Sequence, residues 1–83
     1  MTFAVLVEVQ LRPGISDPQG QTIEKALPTL GYEGVSGVRV GKSMRFEIDA
    51  DNEAAARSQV DELCQKFLTN PVIEDAVVTL EQT

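Results

Sequence analysis

The spacing of apolar residues along this chain switches, in a fixed order, between the period of a strand and that of a helix. In residues 2–11, 35–50 and 72–82 they recur at every second position, which is typical of strands with one buried face. In residues 15–32 and 52–69 they recur three and four positions apart, which indicates amphipathic helices. Because residues 35–50 are long enough for a hairpin, the predicted order is strand, helix, strand, strand, helix, strand.

That order predicts an α+β domain of the ferredoxin-like, split βαβ class, in which an antiparallel sheet carries two helices on one face. A chain of 83 residues has room for one domain, spanning residues 1–83, and a thin core. The predicted sheet face away from the helices mixes apolar and charged side chains. Such a face commonly pairs with another subunit, so we expect a homodimer or homotetramer.

Turn and cap signals set the element boundaries in the first half. Residues 12–14, Arg-Pro-Gly, end the first strand, because proline cannot donate to a ladder. Asp17 followed by Pro18 predicts the start of the first helix, and Gly31 predicts its end. Pro28 lies inside that helix, where it removes a backbone donor. We therefore expect a kink or a distorted last turn there.

Similar signals divide the second half. Gly41-Lys42 is predicted to form the bend of the hairpin. Asp51 or Asn52 caps the second helix, and Asn70-Pro71 ends it, because the residue before proline avoids helical geometry. The last strand then directs alternate residues inward, namely Ala76, Val78 and Leu80.

Composition excludes several classes of function. Seven basic residues against thirteen acidic ones give a net charge of −6, which argues against a nucleic-acid partner. The chain has no histidine and one cysteine, so His-based metal sites and an intrachain disulfide are excluded. No apolar run reaches the ~18 residues of a membrane span, and the N-terminus lacks a signal-peptide pattern. We therefore expect no membrane association and a cytoplasmic location.

No residue pattern indicates catalysis or metal binding. Residues 37–43 resemble a phosphate-binding loop, but only three residues separate the glycines and a strand follows. Cys64 lies in the apolar stripe of the second helix, which favours a core role. The acidic residues of the second helix cap or solvate it, and Glu24 and Lys25 are interpreted as ordinary surface charges. We therefore predict no catalytic residue and no metal ligand.

Three segments together carry a family resemblance. They are RPGISDPQGQTIEKAL at residues 12–27, LGYEGVSGVRVGK at 30–42 and NPVIED at 70–75. In this order they resemble the PurS family, the small subunit of phosphoribosylformylglycinamidine (FGAM) synthase. The resemblance implies a non-catalytic adaptor that bridges a PurQ-like glutaminase and a PurL-like, ATP-dependent synthase and assists ammonia transfer. ATP and Mg²⁺ are implied for the complex, with no cofactor bound by this chain alone.

The alternative function is a regulatory domain of ACT type, which shares the fold class and binds amino acids at dimer interfaces. Its cue is a glycine-containing loop between the first strand and the first helix, and Pro13-Gly14 fits it.

We expect partner contacts at loop and turn positions, where rigid elements present polar groups. Each position also has a purely structural alternative: Asp17 caps, Gly41 turns and Asn70-Pro71 stops a helix. The candidate contact residues are Arg12, Asp17, Gln19, Gly20, Arg39, Gly41, Lys42, Asn70, Pro71, Glu74 and Asp75.

Overall fold

The computed structural model describes all of residues 1–83. One antiparallel sheet has the strand order β2-β1-β3, and each connection between its strands passes through a helix. The predicted α+β class is confirmed. The elements are β1 (Thr2–Leu11), α1 (Pro18–Ala26), β2 (Lys42–Asp49), α2 (Glu53–Leu63) and β3 (Glu74–Gln82), with a 3-10 turn at Pro28–Leu30 and a π-helical turn at Cys64–Leu68.

The core lies between the central strand and α2. Alternate residues of β1 face α2, as the period of two requires, and Val7 lies opposite Met44 of β2 and Val78 of β3. Val60 of α2 is fully buried on this face. The buried apolar residues are Phe3, Val5, Val7, Val9, Ala56, Val60 and Cys64.

The two helices differ in what they cover. α2 packs along the sheet beside β3, whereas α1 makes no extensive contact with any strand. The apolar stripe of α1 is consequently open to solvent: Ile23 is 45% exposed, and Leu30, in the turn that follows, is 68% exposed. The only buried residue of α1 is Gly20. Within one chain, α2 therefore supplies the helical layer of the core.

The predicted hairpin is wrong in its first strand and in its bend. Residues 34–41 lie outside the sheet, and Lys42 begins β2 directly. The reason is a competing set of hydrogen bonds. The backbone N–H of Val38 donates to Glu24 Oε1 at 2.9 Å, and that of Val40 donates to Asp17 Oδ2 at 2.7 Å. Interpreting Glu24 as an ordinary surface charge was therefore also wrong.

The predicted helix ends are confirmed. α1 stops at Ala26 and tightens into a 3-10 turn that begins at Pro28, so the last turn is distorted as expected. That turn ends at Gly31, whose φ of 94° is left-handed. Asn52 caps α2 by accepting the backbone N–H of Ala55 at 2.8 Å.

Both chain ends are fixed beside the same end of the sheet. The N-terminal ammonium of Met1 donates to the Ala50 carbonyl at 3.0 Å. The backbone N–H of Thr83 donates to the Thr2 carbonyl, also at 3.0 Å. α1 begins at the opposite end, where β1 finishes.

Replacing Val60 with alanine removes two buried methyl groups from the centre of this core. We expect the free energy of unfolding to fall by about 2 kcal/mol, from lost apolar burial and the cavity that remains. Urea unfolding followed by circular dichroism measures the change. Val77→Ala is the matched control, since Val77 is 60% exposed on the other sheet face and should change stability by less than about 0.5 kcal/mol. Equal losses in the two variants would contradict this account of the core.

Candidate functional site

The candidate contact residues come from three segments that the sheet register brings to one end of the molecule. β1 runs antiparallel to both neighbours, so its last residues lie beside the first residues of the other two strands. Val9 pairs with Lys42 of β2, and Leu11 pairs with Glu74 of β3. We call this region, comprising residues 12–20, 38–42 and 70–75, the loop end.

Asp17 is the central anion of the loop end. Its Oδ1 accepts the backbone N–H of Gly20 at 2.9 Å, which caps α1, and its Oδ2 accepts that of Val40 at 2.7 Å. The residue is 4% exposed. The hydrogen bonds from Val40 and Gly20, with the nearby Arg39 charge, hold the pKa of this carboxyl below its usual range. Asp17 therefore joins α1 to the segment before β2 and is not itself available to a partner.

Two glycines of the predicted set permit close approach of backbone. A Cβ on Gly20 would lie 2.1 Å from the Val38 carbonyl oxygen, and one on Gly41 would lie 2.7 Å from that of Val9. Neither position tolerates a side chain unless the opposing backbone moves. The predicted turn role of Gly41 is therefore replaced by a packing role against the end of β1.

Arg39 ties this segment to the loop after β1. Its Nη1 donates to the Ile15 carbonyl at 2.7 Å, and its Nη2 donates to the Arg12 carbonyl at 3.2 Å. The planar guanidinium suits this fork of two acceptors. Its side chain therefore fixes the course of the loop that leads into α1.

Arg12 connects the same loop to the segment before β3. Its guanidinium donates to the Pro71 carbonyl, and its Nε lies 3.2 Å from Asp75 Oδ1. Its backbone N–H also donates to the Ile73 carbonyl at 2.8 Å. Arg12 and Asp75 remain exposed at their outer atoms, so this ion pair is a surface feature of the loop end.

The segment before β3 forms a local turn. Glu74 Oε1 accepts the backbone N–H of Asn70 at 2.7 Å, and the Asn70 carbonyl accepts that of Glu74 at 2.8 Å. The amide oxygen of Asn70 also accepts the N–H of Val72 at 3.1 Å. Asn70, Pro71 and Glu74 therefore shape the entry to β3.

Lys42 and Gln19 remain free. Neither side chain forms a hydrogen bond, and Lys42 forms no ion pair, because the chain's two ion pairs join Arg12 to Asp75 and Lys66 to Glu62. Both side chains border a shallow cleft of about 370 Å³, lined also by Val9, Leu11, Asp17, Pro18, Val40, Gly41 and Glu74. At this cleft the loop end has polar side chains that form no hydrogen bond or ion pair within the chain.

The structure contains no cluster of metal-ligating side chains, and its one thiol is not activated. No group of three or more His, Cys, Asp or Glu side chains is placed to hold a metal ion. Burial raises the pKa of the Cys64 thiol, and the Asp61 carboxylate raises it further, so the thiolate is disfavoured. Neither α1 nor α2 has the length and apolarity of a transmembrane helix.

Sequence reasoning missed one residue that shapes this region. Glu24 is half-buried and holds Val38, although its position in α1 is ordinary for a surface charge. One signal was available, because Glu24 follows Gly20 by one helical turn and lies on the same side of α1. Gly20 packs against the segment that contains Val38.

The ionised Asp17 carboxylate should make stability depend on pH. Because its pKa is lowered in the folded chain, its contribution is full above the unfolded value of about 3.9 and is lost as pH falls through the lower folded value. We expect Asp17→Asn to unfold at lower urea concentration at pH 7 and to lose less stability between pH 7 and pH 3 than the parent chain. Asp51→Asn, at an exposed position, is the control. A parallel pH profile for Asp17→Asn and the parent chain would contradict this role.

Comparison with known proteins gives consistent matches over nearly the whole chain. A family model described as "PurS: Phosphoribosylformylglycinamidine (FGAM) synthase" matches residues 4–82. The PurS subunit of Methanothermobacter thermautotrophicus is 38% identical over 82 residues, covering 99% of this chain and 96% of that protein. The PurS subunit of Mycobacterium leprae is 45% identical over 76 residues, covering 92% of each chain.

Comparison with solved structures agrees with these sequence matches. One chain of the structure of PurLQS from Thermotoga maritima superposes with a TM-score of 0.88 at 34% identity, covering 98% of this chain and 99% of that one. The family model, the sequence identities and the shared fold therefore show that the chain belongs to the PurS family of FGAM synthase subunits.

Proposed function

We propose that this chain is the non-catalytic adaptor subunit of an FGAM synthase complex in purine biosynthesis, where it bridges a PurL-like synthase and a PurQ-like glutaminase. The observation that carries the proposal is the end-to-end structural correspondence with a chain of the PurLQS assembly. Since almost the whole fold is shared with that chain, this chain has the same backbone framework with which to contact two larger partners.

An adaptor is useful here because of the chemistry of ammonia. Ammonia released into water near neutral pH is protonated, and ammonium is not a nucleophile. A subunit that keeps the glutaminase and synthase sites in register and excludes water at their joint delivers the unprotonated form. Linking the two binding events also raises the effective concentration of one partner beside the other.

The loop end suits docking because it is already ordered. The charged groups of Arg12, Asp17 and Arg39 form hydrogen bonds with backbone groups of the same chain. These bonds fix the loops before any partner binds. A preorganised surface loses less conformational entropy on binding. Lys42 and Gln19 then project from this frame and supply polar contacts.

In this scheme the substrates are handled elsewhere in the complex. The synthase subunit binds ATP and Mg²⁺, and the adaptor binds no cofactor of its own. The complex works in the cytoplasm, and residues 1–83 act as one domain.

Reconstitution tests the function. The chain is combined with the PurL and PurQ proteins of the same organism, and FGAM formation is followed with glutamine or with ammonium chloride as nitrogen donor. We expect omission of the chain to abolish glutamine-dependent synthesis while ammonia-dependent synthesis by PurL persists. Glutamine-dependent synthesis at an undiminished rate without the chain would refute the adaptor role.

Lys42→Ala tests the docking surface. Removing an unpaired surface ammonium leaves the fold intact, so we expect an unchanged melting temperature and a complex at least about five-fold weaker, the loss typical of an interface contact above 1 kcal/mol. Affinity is measured by titrating labelled chain with PurL and PurQ. Lys25→Ala, which removes the same charge from an exposed position on α1, is the control. Equal affinities for both variants and the parent chain would exclude Lys42 from the interface.

A further inference from the structure

The outer edge of β3 is a row of backbone groups that pair with no strand. The sheet order β2-β1-β3 leaves β3 with one neighbour. At one end of this pair, Arg12 donates its backbone N–H to the Ile73 carbonyl at 2.8 Å. At the other end, Thr83 donates to the Thr2 carbonyl at 3.0 Å. Because backbone groups alternate in direction along a strand, the odd-numbered residues of β3 face β1 and the even-numbered residues face outward. The outward residues of the edge are Ala76, Val78, Leu80 and Gln82.

Little of the chain covers this edge. It extends over about 20 Å from Ala76 to Gln82, and both of these residues are exposed. α2 packs beside β3, and one of its side chains reaches the edge. Arg57 donates to the Val78 carbonyl at 3.5 Å, which is a long and weak hydrogen bond. Arg57 is itself exposed, so a backbone donor from another chain can replace it without burying an unpaired charge.

β3 lacks the features that usually protect an edge strand. Its sequence, EDAVVTLEQ, has neither proline nor lysine, and its charges lie at its ends. Its register with β1 runs without a bulge from Glu74 to Gln82. β2, the other edge strand, contains Lys42 and Arg45. A long, regular edge rich in β-branched residues is a template for strand addition, in which backbone hydrogen bonds supply affinity and alternate side chains supply specificity.

The side chains beside this edge are negatively charged at both of its ends. Asp75 and Glu81 lie on the sheet face away from α2, six residues apart, with Val77 and Thr79 between them. Arg12 pairs with Asp75, whereas Glu81 forms no ion pair. Opposite charges on directly opposed residues of neighbouring strands stabilise the pairing. The edge therefore favours a strand that carries basic residues six positions apart.

A second copy of β3 is a poor occupant of the same edge. In the antiparallel register that overlaps all nine residues, Glu74 lies opposite Gln82, and Asp75 lies opposite Glu81 at both ends of the contact. Like charges on directly opposed residues destabilise a sheet. The net charge of −6 on each chain acts in the same direction. The occupant that fits is therefore a segment of a different protein.

We propose that the outer edge of β3 binds an extended basic segment of one of the two larger subunits, which joins the sheet as a fourth strand. Backbone groups of residues 76–82 pair with that segment, and its basic side chains lie opposite Asp75 and Glu81. The inference rests on the proposed adaptor function, because the occupant belongs to the complex. A bridge needs contact surfaces for two partners, and this edge provides one in addition to the loop end.

The first test blocks the edge without disturbing the sheet. Ala76→Pro removes an outward N–H and leaves the bonds between β3 and β1 in place, which an edge strand tolerates. The chain is titrated into PurL and PurQ, and glutamine-dependent FGAM formation is followed. We expect half-maximal activity to need at least about ten-fold more Ala76→Pro chain than parent chain. Ala76→Ser, which keeps the N–H at the same exposed position, is the matched control and should behave as the parent.

Glu81→Lys tests the charge at the same edge and does not depend on the tolerance for proline. It places a cation opposite the basic segment, so we expect half-maximal activity to need about five-fold more chain. Glu47→Lys is the matched control, because Glu47 on β2 and Glu81 on β3 flank the same residue, Ala4. If the chain is required for glutamine-dependent synthesis but both edge variants titrate as the parent does, this inference fails and the adaptor function stands. Equal effects of the two lysine variants also overturn the inference.

The final test identifies the occupant in the assembled complex. A photo-reactive benzoylphenylalanine is introduced at Thr79, which is exposed on β3. We expect illumination to join the chain to one larger subunit, at a segment with basic residues six positions apart. The same group at Arg45, which flanks Leu6 from β2 as Thr79 does from β3, is the control and should not reach that segment. Cross-links from Thr79 to neither subunit, to both, or only to another copy of this chain overturn the proposal.

Discussion

The carboxylate of Asp17 determines the course of the chain between its two halves. One oxygen caps α1 and the other holds Val40, while Glu24 holds Val38 one helical turn further along. Because these backbone donors are satisfied by α1, the segment before β2 follows the helix and not the sheet of its own chain. The carboxylates of Asp17 and Glu24 thus set both the geometry of the loop end and the course of the segment that leads into β2.

The sequence predicts well those parts of the fold in which side chains alone decide the outcome. The alternation in β1 identifies its buried valines, and the stripe of α2 identifies Val60 and Cys64. Pro28 and Asn52 act as local chemistry requires. Residues 35–40 show why the rest was not predictable. Their period of two reports which side chains alternate, but it does not report whether the backbone pairs with a strand or with carboxylates.

The candidate site, too, could be predicted from the sequence only in part. Residue types and turn signals indicate three polar segments far apart in sequence, and the register of β1 with its neighbours brings them together. The sequence does not show that Arg12 and Arg39 donate hydrogen bonds to the chain's own loops. Their acceptors are main-chain carbonyls, which every residue possesses. What distinguishes Lys42 and Gln19 is the absence of such a partner, and that is a property of geometry alone.

The pairing of Met1 with Ala50 and of Thr83 with Thr2 places both chain ends about a strand's length, roughly 30 Å, from the loop end. A fluorophore, an affinity handle or a fused protein attached at either end is therefore held away from the loop end, the surface that we propose for docking. Labelled forms of this chain are thus suited to report on assembly at the loop end without obstructing it.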